Sequence, residues 1–361
     1  MGSKPRGISA SRGAAILGLS EYQTPFEVFQ RIMEEREPGW NKAKGYVLPP
    51  EPDSAAIRWG TAFEDAVVEL AEYEQGQKIG NREHFFSVNG YGDEQFFERR
   101  EGYELSNYIT CHIDGNYLAP KNSPVVLHEG KTTSAFTFRE KWGELGTDHI
   151  PRIYQVQAQH QMLCAGAQEV IVSVLVFPET PNKWEATGWR IEGGPGESLE
   201  DYWLMRPTHR KPVGLVDPAF WASSLADMGY FHQYHIKANP VVQKLLVEKY
   251  YDFWRNHVLT GIPPEPRNYD DIKRLCPEPK STIIVPDYIE RKLLEYKGIA
   301  EETAWAKKRK DKLKTIITKY AATHYGIEDD ESKEAIIFRN SSGDKLGSWS
   351  RNKNGSLVFR S

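Results

Sequence analysis

The reading of this chain turns on His112-Ile113-Asp114-Gly115, followed fifteen positions past the aspartate by Glu129-Gly130-Lys131. Around it, between residues 84 and 138, helical spacing of apolar residues disappears. Short apolar runs take its place at Phe85, Phe86 and Val88, at 108–118 and at 125–132, broken by Gly, Asn and Pro, which predicts a sheet. On a strand the period of two turns Glu129 and Lys131 to the same face, and Asp114 on a neighbouring strand can converge there. Two carboxylates and the Gly130 carbonyl make a hard oxygen site suited to Mg²⁺, which takes few protein ligands and keeps its waters. Such a site makes phosphodiester hydrolysis feasible, with Lys131 adding positive charge and orienting a water. Alone, the pattern also fits the solvated face of an edge strand.

Working outward, residues 8–18 read as a short Ala-rich helix entered through serines that can cap it and ended by Gly18. A second helix starts at Thr24-Pro25. A Pro/Gly/Lys-rich loop covers about 38–52. A long helix is expected over 55–75, with Phe63, Val67, Leu70 and Ala71 on one face and Glu64 beside it. Downstream, 150–166 reads as a helix, 170–177 as a buried strand and 184–191 as another. Residues 192–228 read as a loop-rich insertion, 231–236 as a strand, 240–258 as a helix and 263–286 as a proline-rich linker.

The tail is expected to be helical to about 325 and to end in a small hairpin. Between 291 and 320 ten Lys/Arg stand against four acids, with Leu313, Ile316, Ile317 and Tyr320 at helical spacing, a basic amphipathic pattern open to DNA tracking, partner docking or plain solvation.

Composition narrows the classes. The chain of 361 residues is 39% hydrophobic with net charge −4, so it is a folded protein whose contacts with polyanions must be local. No apolar run of 18 residues and no secretory leader is visible, so a cytoplasmic protein with no membrane partner is expected. Cys111, Cys164 and Cys276 are widely spaced and read as reduced packing residues. His112, His128 and His160 lack zinc-ligand spacing, and no phosphate-cradling glycine loop appears.

Four blocks occur in order: Ser9-Ala10-Ser11 with Ile16-Leu17-Gly18-Leu19-Ser20; Trp59-Gly60-Thr61-Ala62-Phe63-Glu64; Asp114-Gly115 with Glu129-Gly130-Lys131; and Tyr154-Gln155-Val156-Gln157 running on to Gly166. Together they resemble the lambda-exonuclease-like (YqaJ viral recombinase) branch of the PD-(D/E)XK nucleases, firmly over 6–190 and loosely over 230–361. The resemblance implies an α/β restriction-endonuclease-like core, a central mixed sheet flanked by helices. It implies a nuclease domain over 1–262, with 263–361 as linker, basic helix and hairpin.

Residue by residue, it implies that Asp114 bridges two metal ions, that Glu129 and the Gly130 carbonyl hold one, and that Lys131 activates the water. Glu64 would support the second metal and Gln157 orient water or the scissile phosphate, with Tyr154 in support; Gln161 lies four residues on, on the same helix face as Gln157, and Gln155 and Gln159 read as surface residues. Arg6, Ser9, Ser11 and Arg12 would bind a 5′ phosphate. The implied activity is Mg²⁺-dependent hydrolysis of double-stranded DNA, with Mn²⁺ as substitute, 5′→3′ from ends, by a homo-oligomer such as a trimeric ring, alongside a single-strand annealing protein. An endonuclease on the same site and a non-catalytic DNA-end-binding module are the alternatives. Two departures stand out: Ile113 replaces the proline that names the superfamily, and Gly130 replaces a larger residue.

Overall fold

A computed structural model describes residues 7–50, 53–87, 108–120, 123–186, 190–192, 203–207, 212–216, 218–275, 286–324, 335–351 and 357–360. Packing divides the chain into two units, Met1–Pro279 and Lys280–Ser361.

The first unit opens with a short strand β1 (Ile8–Ser9) and α1 (Ala10–Ile16). Ser9 stands at the N-cap without a side-chain capping bond; its hydroxyl meets that of Ser11 at 3.1 Å instead. Helix α2 (Pro25–Arg36) starts where Thr24-Pro25 predicts, through a reciprocal capping box with Glu27. It is followed by α3 (Trp40–Ala43).

The single helix expected over 55–75 is two, α4 (Ala55–Ala62) and α5 (Glu64–Gln75). Phe63 leaves the helical conformation at the junction and stacks on Trp59 at 6.0 Å, both rings packing against Phe177 and Trp221. Glu64 therefore begins a helix, where the peptide dipoles favour a carboxylate.

Next come β2 (Ile79–Gly80), β3 (Phe85–Ser87), β4 (Ile109–His112), β5 (Gly115–Tyr117) and β6 (Val126–Ser134). The run expected over 108–118 is thus broken at Ile113-Asp114. After it, β4 lies between β1 and β3 in a small sheet, whereas β5 enters the main one. Gly115, at φ +154°, makes the change of sheet; a Cβ there would meet Ile79 Cγ2 at 2.4 Å.

Helices α6 (Ala135–Lys141) and α7 (Arg152–Ala165) lead to β7 (Glu169–Phe177). Residue 184, expected in a strand, lies in α8 (Pro181–Ala186), which Thr180 opens by accepting the Lys183 N–H and Pro181 by its fixed φ. The presumed loop of 192–228 holds structure too: β8 (Arg190–Glu192), β9 (Trp203–Pro207) and β10 (Pro212–Val216) form an antiparallel sheet, and α9 (Pro218–Asp227) follows.

Strand β11 (Phe231–Lys237) and α10 (Pro240–Phe253), ending in a π-turn at Trp254–Val258, match their expected spans. Helix α11 (Tyr269–Leu275) interrupts the proline-rich linker. Its buried Asp271 accepts from the Thr24 hydroxyl at 2.8 Å, and Arg274 pairs with Glu27, which clamps this segment to the start of α2.

The main sheet runs β11-β7-β6-β5-β2; β6 and β7 are parallel and the other neighbours antiparallel. Strand β7 is buried on both faces. Val170, Val172, Val174 and Val176 enter the core built with α7 and α10, while Leu175 and Phe177 pack beneath α4, α5 and α9. This is the expected mixed sheet with helices on both sides. The second unit contains α12 (Asp287–His324) and an antiparallel sheet β12 (Ala335–Arg339), β13 (Lys345–Arg351) and β14 (Leu357–Arg360), one strand more than the expected hairpin.

Candidate functional site

Glu129 and Lys131 lie on β6 in register with Val172 and Val174 of β7, so they share the face that looks toward α7. Both are enclosed, with 3% and 17% of their side chains exposed, and they form an ion pair through Glu129 Oε1. Gln157 Nε2 donates to the same oxygen at 2.5 Å, and Gln161 Nε2 donates to Oε2 at 2.6 Å. The Lys131 ammonium also sits 5.2 Å from the centre of the Tyr154 ring. Tyr154, Gln157 and Gln161 follow each other at i, i+3 and i+7 on one face of α7.

Burial and the Asp114 charge push the Glu129 carboxyl above its usual range, against Lys131 and Gln161. Burial alone would lower Lys131, but Glu129 and Asp114 outweigh it and hold the amine protonated.

Asp114 occupies the corner between β4 and β5, where its Oδ2 accepts the Gly130 N–H at 2.8 Å. Space at Gly130 is tight: a Cβ would lie 3.3 Å from Val67 Cγ1 on α5 and 3.7 Å from Asp114 Oδ2. A glycine thus leaves room for Val67 of α5 against β6. One carboxylate oxygen each from Glu64, Glu83 and Asp114 lie within 4.8 Å of one another. Burial, then Asp114 and Glu83, raise the Glu64 carboxyl to about 7. Arg82 opposes this from 3.8 Å and is itself ion-paired with Asp65. Oxygen-only donors with mutual repulsion of this kind fit a hard divalent cation.

The expected residues divide. Asp114 and Glu64 meet in the acidic cluster. Glu129 stands beside it, both oxygens engaged by Lys131, Gln157 and Gln161. Ser9 and Ser11 sit at the start of α1. Arg12 is committed elsewhere: it forms a half-buried ion pair with Glu35 and donates to the Gly7 carbonyl at 2.9 Å. Arg6 lies outside the described residues.

One residue of the cluster escaped sequence reasoning. Glu83 joins the cluster from a turn in which it adopts a positive φ of 56°, with no motif to mark it. Gln161, expected on the same helix face as Gln157, is buried there, and Gln159, expected at the surface, is buried too, bonding Lys237 O and Asn239 N at 2.8 Å. The spacing Gln157-x-x-x-Gln161 puts both amides on the Glu129 side, in line with the shared helix face expected for them. His112 is exposed and packs on Phe85, while His160 is sealed in the core, its Nε2 donating to Thr110 O at 3.0 Å and its Nδ1 accepting from the Tyr250 hydroxyl at 3.2 Å.

Residues 2–168 match the profile of the YqaJ-like viral recombinase domain. The YqaJ protein of Bacillus subtilis (strain 168), described as uncharacterized, is 28% identical over 163 residues, 45% of this chain and 40% of that protein. Among solved structures, an alkaline exonuclease (LHK-Exo) from Laribacter hongkongensis superposes at a TM-score of 0.39 and 12% identity, over 81% of this chain and 96% of that one. A phage related exonuclease from Haemophilus somnus 129PT gives 0.34 and 14% identity, over 71% and 96%. At these scores the chemistry rests on the site's own residues.

Proposed function

We propose that this YqaJ-like domain is the catalytic part of a divalent-metal-dependent deoxyribonuclease that degrades double-stranded DNA from its ends. The observation that carries the reading is the convergence of Glu64, Glu83 and Asp114 beside a buried Glu129–Lys131 pair. Glu64, Glu83 and Asp114 are the residues that would hold the cation, Mg²⁺ or Mn²⁺, with Glu129 and the Gly130 carbonyl adjoining.

A bound divalent ion supplies Lewis acidity and a water of lowered pKa. The chain supplies the rest. The Gly130 N–H fixes the orientation of Asp114. Lys131 keeps its proton and offers positive charge where negative charge develops on the phosphate oxygens. Gln157 and Gln161 hold Glu129, and Gln157, nearer the Lys131 end, is placed to hydrogen-bond a water or a phosphate oxygen. Ser9 and Ser11, together with Arg6, are the groups for a terminal 5′ phosphate, whereas Arg12 is paired with Glu35. A 5′→3′ polarity, a ring-shaped homo-oligomer and an annealing protein as partner belong to the same reading.

The test is digestion of linear and closed-circular duplexes, end-labelled with and without a 5′ phosphate, in Mg²⁺ and in EDTA. Linear DNA should be degraded only with metal, and Lys131→Ala should abolish this while DNA binding persists. Cleavage of the circle would favour the endonuclease, and metal-independent or Lys131-independent cleavage would overturn the site.

A further inference from the structure

Helix α12 (Asp287–His324) is the longest element of the chain, about 57 Å at 1.5 Å per residue. Leu293, Tyr296, Ile299, Trp305, Leu313 and Ile316 all keep half or more of their surface exposed. A solvated helix is ordinarily polar all round, so an apolar series of this length calls for a cover. The cover has a pattern to match. At the seven-residue spacing of paired helices, Ile289, Tyr296, Thr303, Lys310 and Ile317 fall on one seam line, and Lys292, Ile299, Ala306, Leu313 and Tyr320 on the other. Seven of these ten are apolar.

Charge along the helix is segregated. Residues 287–306 carry five acids against three bases, and residues 307–319 seven bases against one acid. A parallel copy would set like charge beside like. An antiparallel copy sets the basic half against the acidic half.

We infer that α12 is a self-association surface that pairs antiparallel with α12 of a second copy of this chain. The register follows from the two seam lines. Ile289 of one copy packs opposite Tyr320 of the other, Tyr296 opposite Leu313, and Thr303 opposite Ala306 near the two-fold axis. The same register places Glu302 beside Arg309 of the other copy, twice by symmetry, at the flanking positions where charge selects partner and orientation. Small side chains at the centre let the helices close, and the long stems of Lys292 and Lys310 can reach water from the seam. A nucleic acid would satisfy the basic half but leave the apolar seam uncovered. The inference does not depend on the nuclease reading.

The test uses the full chain. Light scattering of the parent should give a particle whose mass halves in Leu313→Glu. Glu302→Arg and Arg309→Glu should each weaken association about tenfold, because each replaces two attractions by two repulsions, and mixing the two variants should restore it as a heteropair. Thr303→Cys mixed with Ala306→Cys should cross-link under oxidation, with the parent as blank for its own cysteines, whereas Thr303→Cys alone should not. A mass unchanged by Leu313→Glu, a failure of the charge-swapped mixture to reassociate, or cross-linking of Thr303→Cys alone would overturn the pairing. So would a Leu313→Glu chain that loses DNA binding while keeping its mass.

Discussion

Lys131 can be replaced by Met, which keeps its length and removes its charge, in metal-free buffer. Glu129 is then a carboxylate with 3% of its side chain exposed and only two amide donors, Gln157 and Gln161. Breaking a buried ion pair costs about 3–5 kcal/mol, and the two glutamines, together with the 17% exposure of Lys131, bring the expected loss to about 2–4 kcal/mol. Glu129→Gln should cost a similar amount by stranding the ammonium. In the double variant neither charge remains. The buried Gln161 Oε1, which lacks a hydrogen-bond partner, can turn to accept from the new amide. The double variant should therefore lie within about 1 kcal/mol of the parent, a coupling of several kcal/mol. Urea titrations in EDTA, followed by tryptophan fluorescence, measure all four corners of the cycle. Losses that simply add would show that the pair is not a closed unit and refute the account of Glu129.

Three further outcomes are expected. Arg82→Ala removes the cation facing Glu64 and Asp65, so Mn²⁺ measured by calorimetry should bind several-fold tighter, while Glu83→Gln should weaken it; no change in either would remove Glu83 from the ion site. Burial lowers His160 from an ordinary 6.5 to about 4, so the unfolded chain takes the proton first as pH falls. Stability is whole above pH 6.5 and is lost toward pH 4 by at most about 3 kcal/mol, and His160→Gln should flatten that slope in urea titrations at stepped pH. Gly13→Ala would put a Cβ 2.1 Å from the Tyr250 hydroxyl, costing about 1–3 kcal/mol; Tyr250→Phe in the same chain should recover only part, because it strips His160 Nδ1 of its donor.

Much of this molecule is legible in one dimension, because the forces concerned are local. Thr24-Pro25 starts α2 through its own hydroxyl and a preset φ, Gly166 ends α7 in the left-handed conformation, and the unbroken apolar run of β7 requires cover on both faces. The alternation Glu129-x-Lys131 by itself turns two charges to one side. What only tertiary structure decided are the meetings between distant segments. Phe63 breaks a good helical pattern because its ring stacks into an aromatic cluster with Phe177 and Trp221, and that break sets Glu64 at a helix start. Glu83 joins the acidic cluster from a turn, and Arg12 turns away to Glu35 on α2. Such choices depend on which surfaces come within a few ångströms when the sheet closes, and the energy of a charge near another charge falls with a distance that sequence separation does not encode.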